Sequence, residues 1–228
     1  MSCAALVERA EPIHVLTVCA GVPDPPQRGW WDKETGYASS AESIPARLAE
    51  DRAAFEGTPH HLSYLDLFEG QYFEAERSAE DAETIRAAVV AWLGAQRGEG
   101  TVALPAGAGG RGGRRGRVVR LLGRSDNPLP HGDHVFVRDA ALDVPAALLF
   151  YEELPYLFGS RADRQVRRIA RALGRRAEPI TQPVDREAKA RRIAAYASQV
   201  PHISPVQGRL DDPAILPANE RYWLLPRP

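Results

Sequence analysis

The chain has 228 residues, of which 44% are hydrophobic and 26% charged, and its formal net charge is −1. This length suits one domain of about 100–200 residues with appendages, and the composition excludes a disordered chain. The near-zero charge argues against a surface that coats nucleic acid, and no apolar run reaches the roughly 18 residues of a membrane span. Two cysteines, Cys3 and Cys19, are too few for a disulfide framework. Without a recognisable signal peptide, we expect a cytoplasmic protein.

Apolar periodicity and turn residues predict the elements of the first half of the chain. A helix ends within 2–10, a buried strand covers 13–18, and a loop rich in Pro and Gly covers 21–40. An amphipathic helix follows over 41–56, with Ser40 or Ser43 as its N-cap. The remaining elements are a strand over 61–67, a helix over 78–96 with an inner stripe of Ile85, Val89, Val90 and Leu93, and a strand over 101–105.

The second half continues the same alternation after a Gly/Arg-rich segment, 106–124, which is the one low-complexity stretch. The predicted elements are a helix over 131–142, a strand over 147–151, a basic helix over 161–173, a strand over 178–182, a helix over 185–199 and a strand over 222–225. Strands that alternate with helices of this length predict an α/β fold with a mainly parallel sheet. Such sheets bind ligands at the carboxyl ends of their strands.

The sharpest candidate site is the segment His131-Gly132-Asp133-His134 at the start of a predicted helix. Imidazole suits Zn²⁺ and titrates near neutral pH, so these residues could bind a metal or transfer protons. His131 and His134 are three positions apart and would face the same side of a first helical turn. Taken alone, the pattern is equally compatible with a capping cluster on a surface turn.

Other candidates each have a structural alternative. Arg47, Glu50 and Asp51 could orient a polar substrate, or pair on an ordinary helix surface. Glu152 and Glu153 follow a strand at the functional edge of the sheet, or belong to a solvated loop. The loop aromatics Trp30, Trp31 and Tyr37 could line a pocket, or form a flap packed on the domain. The Arg-rich stretches 106–124 and 161–176 could bind phosphate or nucleic acid, or be solvated faces.

Several segments together resemble the PIG-L/LmbE-type deacetylases, a family of metal-dependent hydrolases that act on N-acetylated sugars and related amides. In chain order the segments are VLTVCAGVP, RLAEDRAA, LPAGAG, HGDH, VRDAAL, LLFYEELPY, KARRIAAYASQVP and ERYW. The resemblance spans nearly the whole chain, and HGDH and YASQ are its most specific parts. It implies a single Rossmann-like α/β domain over residues 1–228, with 106–130 as a Gly/Arg-rich insertion.

The resemblance implies zinc hydrolysis of an acetamide on a small-molecule sugar or glycoconjugate. We expect no membrane partner, because no apolar run is long enough to span a membrane. His134 would be a zinc ligand, His131 would assist the oxyanion or the leaving amine, and Asp133 would support the turn. Arg47, Glu50 and Asp51 match positions near the sugar. In this chain Gly132 stands where the family usually has Pro.

The main departure is that the family's His-Pro-Asp-Asp motif, which follows its first strand and supplies two zinc ligands and the base, is missing from this chain. A lone His134 cannot hold a catalytic zinc, which needs about three protein ligands. We expect a true start upstream, in which case the first strand and this motif precede Met1. The alternatives are a non-catalytic member that acts as a binding or scaffold domain and, in a different class, an Arg-driven phosphate or nucleic-acid binder.

Overall fold

The structure is a computed structural model that describes residues 2–73, 77–107, 132–158, 162–205 and 207–227. Within these ranges helices and strands alternate along the chain. The helices are α1 (Ala4–Val7), α2 (Trp30–Glu34), α3 (Ser40–Ala54), α4 (Ala79–Ala95), α5 (Gly132–Ala140), α6 (Ala162–Ala172), α7 (Arg186–Ala194) and α8 (Val200–Ile203). The strands are β1 (His14–Thr17), β2 (His61–Tyr64), β3 (Thr101–Pro105), β4 (Ala147–Tyr151), β5 (Glu178–Pro183) and β6 (Asn219–Leu225).

Most predicted elements are confirmed, and four expectations are wrong. The N-cap of α3 is Ser39, and the expected caps Ser40 and Ser43 lie within the helix. The stretch 21–40 is not all loop, because α2 lies within it. The helix predicted over 185–199 ends at Ala194, and the YASQ residues lie beyond its end. Val90 is 39% exposed instead of facing inward. At roughly 100° per residue it lies about 140° around α4 from the buried Ile85, whereas Leu93 lies on the same side as Ile85.

The strands form two sheets. In the first, β1 pairs with β2 in parallel, with Val15 opposite Leu62. The second has the order β3-β4-β6-β5; β3 and β4 are parallel, and β6 pairs with β4 in the antiparallel direction. The predicted α/β class with parallel strands flanked by helices is confirmed, and β6 adds an antiparallel partner to it.

The chain divides into two compact units, each with buried apolar residues of its own. The first comprises Cys3–Ser78 and Pro183–Asn219, and the second Ala79–Gln182 and Glu220–Pro228 together with Ser2. In the second unit, Leu148 and Phe150 of β4 are fully buried and pack with Val166 of α6. The basic helix predicted over 161–173 is confirmed as α6, and it buries Val166, Ile169 and Ala170. Across the described ranges, no helix has the length and apolar character of a membrane span.

A buried arginine of α5 fixes the turn that follows β3. The guanidinium of Arg138, of which 3% is exposed, donates from Nη1 to the carbonyl oxygen of Ala106 at 3.0 Å and from Nε to Asp139 at 2.8 Å. The next residue, Gly107, has a φ of +67°, and a Cβ there would lie 2.0 Å from Arg138 Nη1. A side chain at this position would therefore strain the backbone and displace the buried guanidinium of Arg138.

We expect Gly107→Ala to lower the free energy of unfolding by more than Gly174→Ala does. Gly174 has a similar φ of +63°, but nothing lies within 4 Å of the position that a Cβ would take there, so it carries only the backbone strain, about 1 kcal/mol. Denaturant unfolding of the two variants measures the difference. Equal losses would show that Arg138 does not restrict the turn.

Candidate active site

The histidine predicted to bind zinc is held by a buried carboxylate in the second unit. His134 is the third residue of α5, and its Nδ1 lies 2.9 Å from Oε1 of Glu153, two residues after the end of β4. The Glu153 side chain is 1% exposed and the His134 side chain 39%. A carboxylate only accepts hydrogen bonds, so Nδ1 of His134 is the donor. In the neutral ring, Nε2 then carries the lone pair that binds a metal or a proton.

A tyrosine packs against this pair. The ring of Tyr156 meets the imidazole of His134 edge-on, with 5.6 Å between centroids. Burial, reinforced by the charges of Glu153 and Asp133, raises the pKa of Tyr156 to about 12. Tyr156 is therefore a neutral phenol at physiological pH, and it forms one wall beside the imidazole.

The structure describes one of the two other candidate residues of the motif, Asp133, and not His131. Asp133 lies in the first turn of α5 and is 8% exposed. An acidic residue there interacts favourably with the helix dipole, which is compatible with the supporting role expected of it. His131 lies outside the described residues, so its assignment stays a prediction.

In the first unit, Arg47 of α3 forms an ion pair with Glu69. Their atoms Nη2 and Oε1 are 2.5 Å apart, and the two side chains are 26% and 13% exposed. The second terminal nitrogen of Arg47, Nη1, is buried and has no hydrogen-bond partner among the described residues. A buried donor that is left unsatisfied costs about 1–3 kcal/mol, so a ligand oxygen that reached it would bind favourably.

The two carboxylates that follow Arg47 on α3 bind the YASQ segment, Tyr196–Gln199. Asp51 accepts hydrogen bonds from Tyr196 Oη at 2.7 Å and from Thr17 Oγ1 at 2.9 Å. Glu50 accepts from the backbone N–H of Ser198 at 2.7 Å and from its hydroxyl at 2.9 Å. These bonds explain why the segment leaves the helical conformation after α7.

Tyr196 is a permanent donor in this arrangement. Its burial, together with the charge and the hydrogen bond of Asp51, raises the pKa of Tyr196 far above its ordinary value. Asp51 therefore joins β1, α3 and the YASQ segment through hydroxyl groups that keep their protons. The prediction that Glu50 and Asp51 bind substrate stays a prediction, and the observed hydrogen bonds assign both carboxylates to the chain's own polar groups.

Sequence reasoning leaves open which of two adjacent glutamates matters. Glu152 pairs with Arg221 through two bonds, of 2.6 and 3.0 Å. Glu153 points the other way, into the interior, and binds His134. The sequence therefore marks Glu153 as a candidate but does not predict its contact with His134, and it gives no reason to select Tyr156. The signal that could have found both residues is their position just after β4, at the carboxyl edge of the sheet, where ligands bind.

Comparison with known proteins identifies the fold. No protein-family model matches the chain, and no curated protein matches it. Among solved structures, the zinc-inhibited form of teicoplanin deacetylase Orf2 matches with a TM-score of 0.64 and 17% identity, over 99% of this chain and 90% of that one. Dbv21, described as an A40926 pseudoaglycone deacetylase, matches with a TM-score of 0.61 and 21% identity, over 95% of this chain and 86% of that one.

A third match is a deacetylase–teicoplanin complex, with a TM-score of 0.60 and 17% identity over 99% of this chain and 90% of that one. At these identities the likeness establishes the fold. The chain has the architecture of these deacetylases across nearly its whole length, and the expected PIG-L/LmbE-like resemblance is confirmed at the level of fold.

We expect the raised pKa of Tyr156 to appear in an alkaline titration. Unfolded tyrosine ionises near pH 10, whereas folded Tyr156 keeps its proton until about pH 12. The stability contributed by its neutral form is therefore complete below about pH 10 and is lost as the pH rises toward 12. The ultraviolet titration of the native chain minus that of Tyr156→Phe should contain one component near pH 12. A difference component near pH 10 would contradict the burial of Tyr156.

We also expect Tyr196 and Asp51 to be coupled in stability. Tyr196→Phe and Asp51→Asn each weaken a part-buried hydrogen bond to a charged group, worth about 1.5–3 kcal/mol. The double variant should lose less than the sum of the two single losses, as measured by denaturant unfolding in a double-mutant cycle. Strictly additive losses would show that the 2.7 Å contact contributes nothing.

Proposed function

We propose that this chain is a cytoplasmic hydrolase that removes an acetyl group from an N-acetylated sugar or a related amide of a glycoconjugate. The observation that carries the proposal is the pair formed by His134 and the buried Glu153. It is supported by the fold, which is similar to structures described as deacetylases of teicoplanin and of the A40926 pseudoaglycone.

Glu153 has two effects on His134 in this proposal. Its hydrogen bond to Nδ1 fixes the tautomer and the orientation of the ring, so that Nε2 is the basic atom. A histidine that binds a metal generally donates its other nitrogen to a carboxylate in this way. The same negative charge would stabilise an imidazolium, should His134 accept a proton during the reaction.

Zinc belongs to the proposal with His134 as one ligand. When bound, it would supply a Lewis acid that polarises the amide carbonyl. The donor set fits in part: His134 has the outer-shell carboxylate of a metal ligand, but the described residues contain no group of three His, Cys, Asp or Glu that could hold an ion. We therefore derive no chemical step through the metal. A complete site would need further ligands in addition to His134.

The other candidate residues have binding or supporting roles in this proposal. Arg47 would donate from Nη1, its unsatisfied buried nitrogen, to a hydroxyl of the sugar. Glu50 and Asp51 would act by positioning the YASQ segment beside α3. Asp133 would support the first turn of α5, and His131 would assist the oxyanion or the leaving amine.

Acetate release tests this proposal. The purified chain, alone and extended upstream by a segment that carries His-Pro-Asp-Asp, is assayed with Zn²⁺ on N-acetylglucosamine, its aryl glycoside and a glycopeptide amide. We expect at least one form to release acetate and His134→Ala to abolish the release. No release by either form on any substrate would contradict the proposal.

The adjacent residue Glu152 supplies a matched control for Glu153. Both are substituted in whichever form of the chain releases acetate. Glu153→Gln should lower kcat/KM about 10- to 100-fold, because an outer-shell partner of a metal ligand is lost. Glu152→Gln weakens the ion pair with Arg221, which also has Asp163 3.7 Å away, and should change kcat/KM by less than about 3-fold, because Glu152 pairs with Arg221 and not with His134. Circular dichroism verifies that both variants are folded. Equal effects of the two substitutions would exclude a specific role for Glu153.

A further inference from the structure

A cavity of about 310 Å³ lies within the second unit, between the C-terminal end of α5 and one face of α6. Its lining on α6 includes Gln165, Arg168, Ile169 and Ala172, which recur every three or four positions, as residues on one helical face do. Ligand pockets have volumes of roughly 300–1,000 Å³, so this cavity suits a small molecule. The function proposed above does not involve it.

Part of the lining is apolar and continuous with the core of the second unit. Ile169 is 7% exposed and belongs to that core. Leu142, two residues after the end of α5, and Leu173, the residue after α6, are half-buried and pack against it. A hydrocarbon group that covered these side chains would displace water from apolar surface, which favours binding.

Two opposite charges share the lining without pairing with each other. Asp139 of α5 binds the buried Arg138 through Oδ1 alone, at 2.8 Å from Nε and 2.7 Å from Nη2, and its side chain is 50% exposed. Among the described residues, neither Asp139 Oδ2 nor the exposed guanidinium of Arg168 has a hydrogen-bond or ion-pair partner. Both groups are therefore available to a ligand that enters the cavity.

The surroundings strengthen the charge at each wall. Asp139 lies in the last turn of α5, where the partial negative charge of a helix C-terminus attracts a cation. Arg164 and Arg171, one helical turn before and after Arg168, are exposed and add positive charge on its side. The amide of Gln165, also in the lining, can donate a hydrogen bond beside that guanidinium. The α5 wall therefore favours a cationic group and the α6 wall an anionic one.

We propose that the cavity binds an apolar α-amino acid in its zwitterionic form. Its carboxylate accepts from the guanidinium of Arg168, its ammonium group donates to Oδ2 of Asp139, and its side chain packs against Leu142, Ile169 and Leu173. A ligand with a single charge would leave the opposite charge of the lining without a partner, whereas a zwitterion satisfies both. No residue of the candidate active site takes part, so the outcome is independent of the proposed deacetylation.

Calorimetric titrations with leucine and three analogues test the proposal. Glycine lacks the apolar side chain, 4-methylpentanoate lacks the ammonium group, and 3-methylbutylamine lacks the carboxylate. We expect leucine to bind, glycine and 3-methylbutylamine to bind about 10-fold more weakly, and 4-methylpentanoate about 3-fold more weakly, because Arg138 offsets part of the charge of Asp139. No heat of binding with millimolar leucine, or an analogue that binds as tightly as leucine, would overturn the proposal.

Substitutions at the two charges assign the contacts. Arg168→Gln should weaken leucine binding about 10-fold and not weaken 3-methylbutylamine, since the amine has no group for the guanidinium. Asp139→Asn, which keeps an oxygen for Arg138, should weaken leucine about 3-fold and not weaken 4-methylpentanoate. Arg167→Gln, at the adjacent exposed position outside the lining, is the matched control and should change nothing. Circular dichroism verifies that each variant is folded. Equal losses for Arg167→Gln and Arg168→Gln, or weaker amine binding in Arg168→Gln, would overturn the proposal.

Discussion

The arrangement of the candidate site depends on one buried acid. Glu153 is withdrawn from solvent directly after β4, and an ionised carboxylate in such surroundings costs several kcal/mol unless it is hydrogen-bonded. Nδ1 of His134 supplies a bond at 2.9 Å. The need to satisfy Glu153 therefore determines which nitrogen of His134 holds the proton, and Tyr156 packs edge-on against the same imidazole as a neutral phenol.

Two carboxylates, the buried Asp32 and the part-buried Asp51, organise the first unit in the same manner. Asp32 gathers donors from the turn before α2, from α3 and from Tyr72, while Asp51 joins β1 to the YASQ segment. Asp32 accepts from the nearby Gly29 and from Ser43 and Tyr72 farther along the chain, whereas both partners of Asp51 are distant in sequence, so each acid holds several segments together. Asp51, which resembles ordinary helix surface in the sequence, is for this reason part of the framework of the first unit.

Local patterns are enough to predict most of the secondary structure, because strands such as β3 and β4 are short apolar runs bounded by turn residues. They fail at α2, where a buried Asp32 overrides a composition typical of loops, and at the end of α7, where bonds to α3 replace helical ones. The importance of Glu153 over Glu152 is not predictable either. Adjacent residues point in opposite directions, and only the three-dimensional partners, His134 and Arg221, distinguish them.

The tautomer of His134 tests the role of Glu153 most directly. In a long-range proton–nitrogen NMR spectrum of the histidine rings, with His134 assigned by its absence in His134→Ala, we predict a protonated Nδ1 and an unprotonated Nε2 at neutral pH. Glu153→Ala should abolish this preference, because Nδ1 loses its acceptor. A wild-type spectrum with the proton on Nε2, or one unchanged by Glu153→Ala, would contradict the claim that Glu153 sets the basic atom of the site.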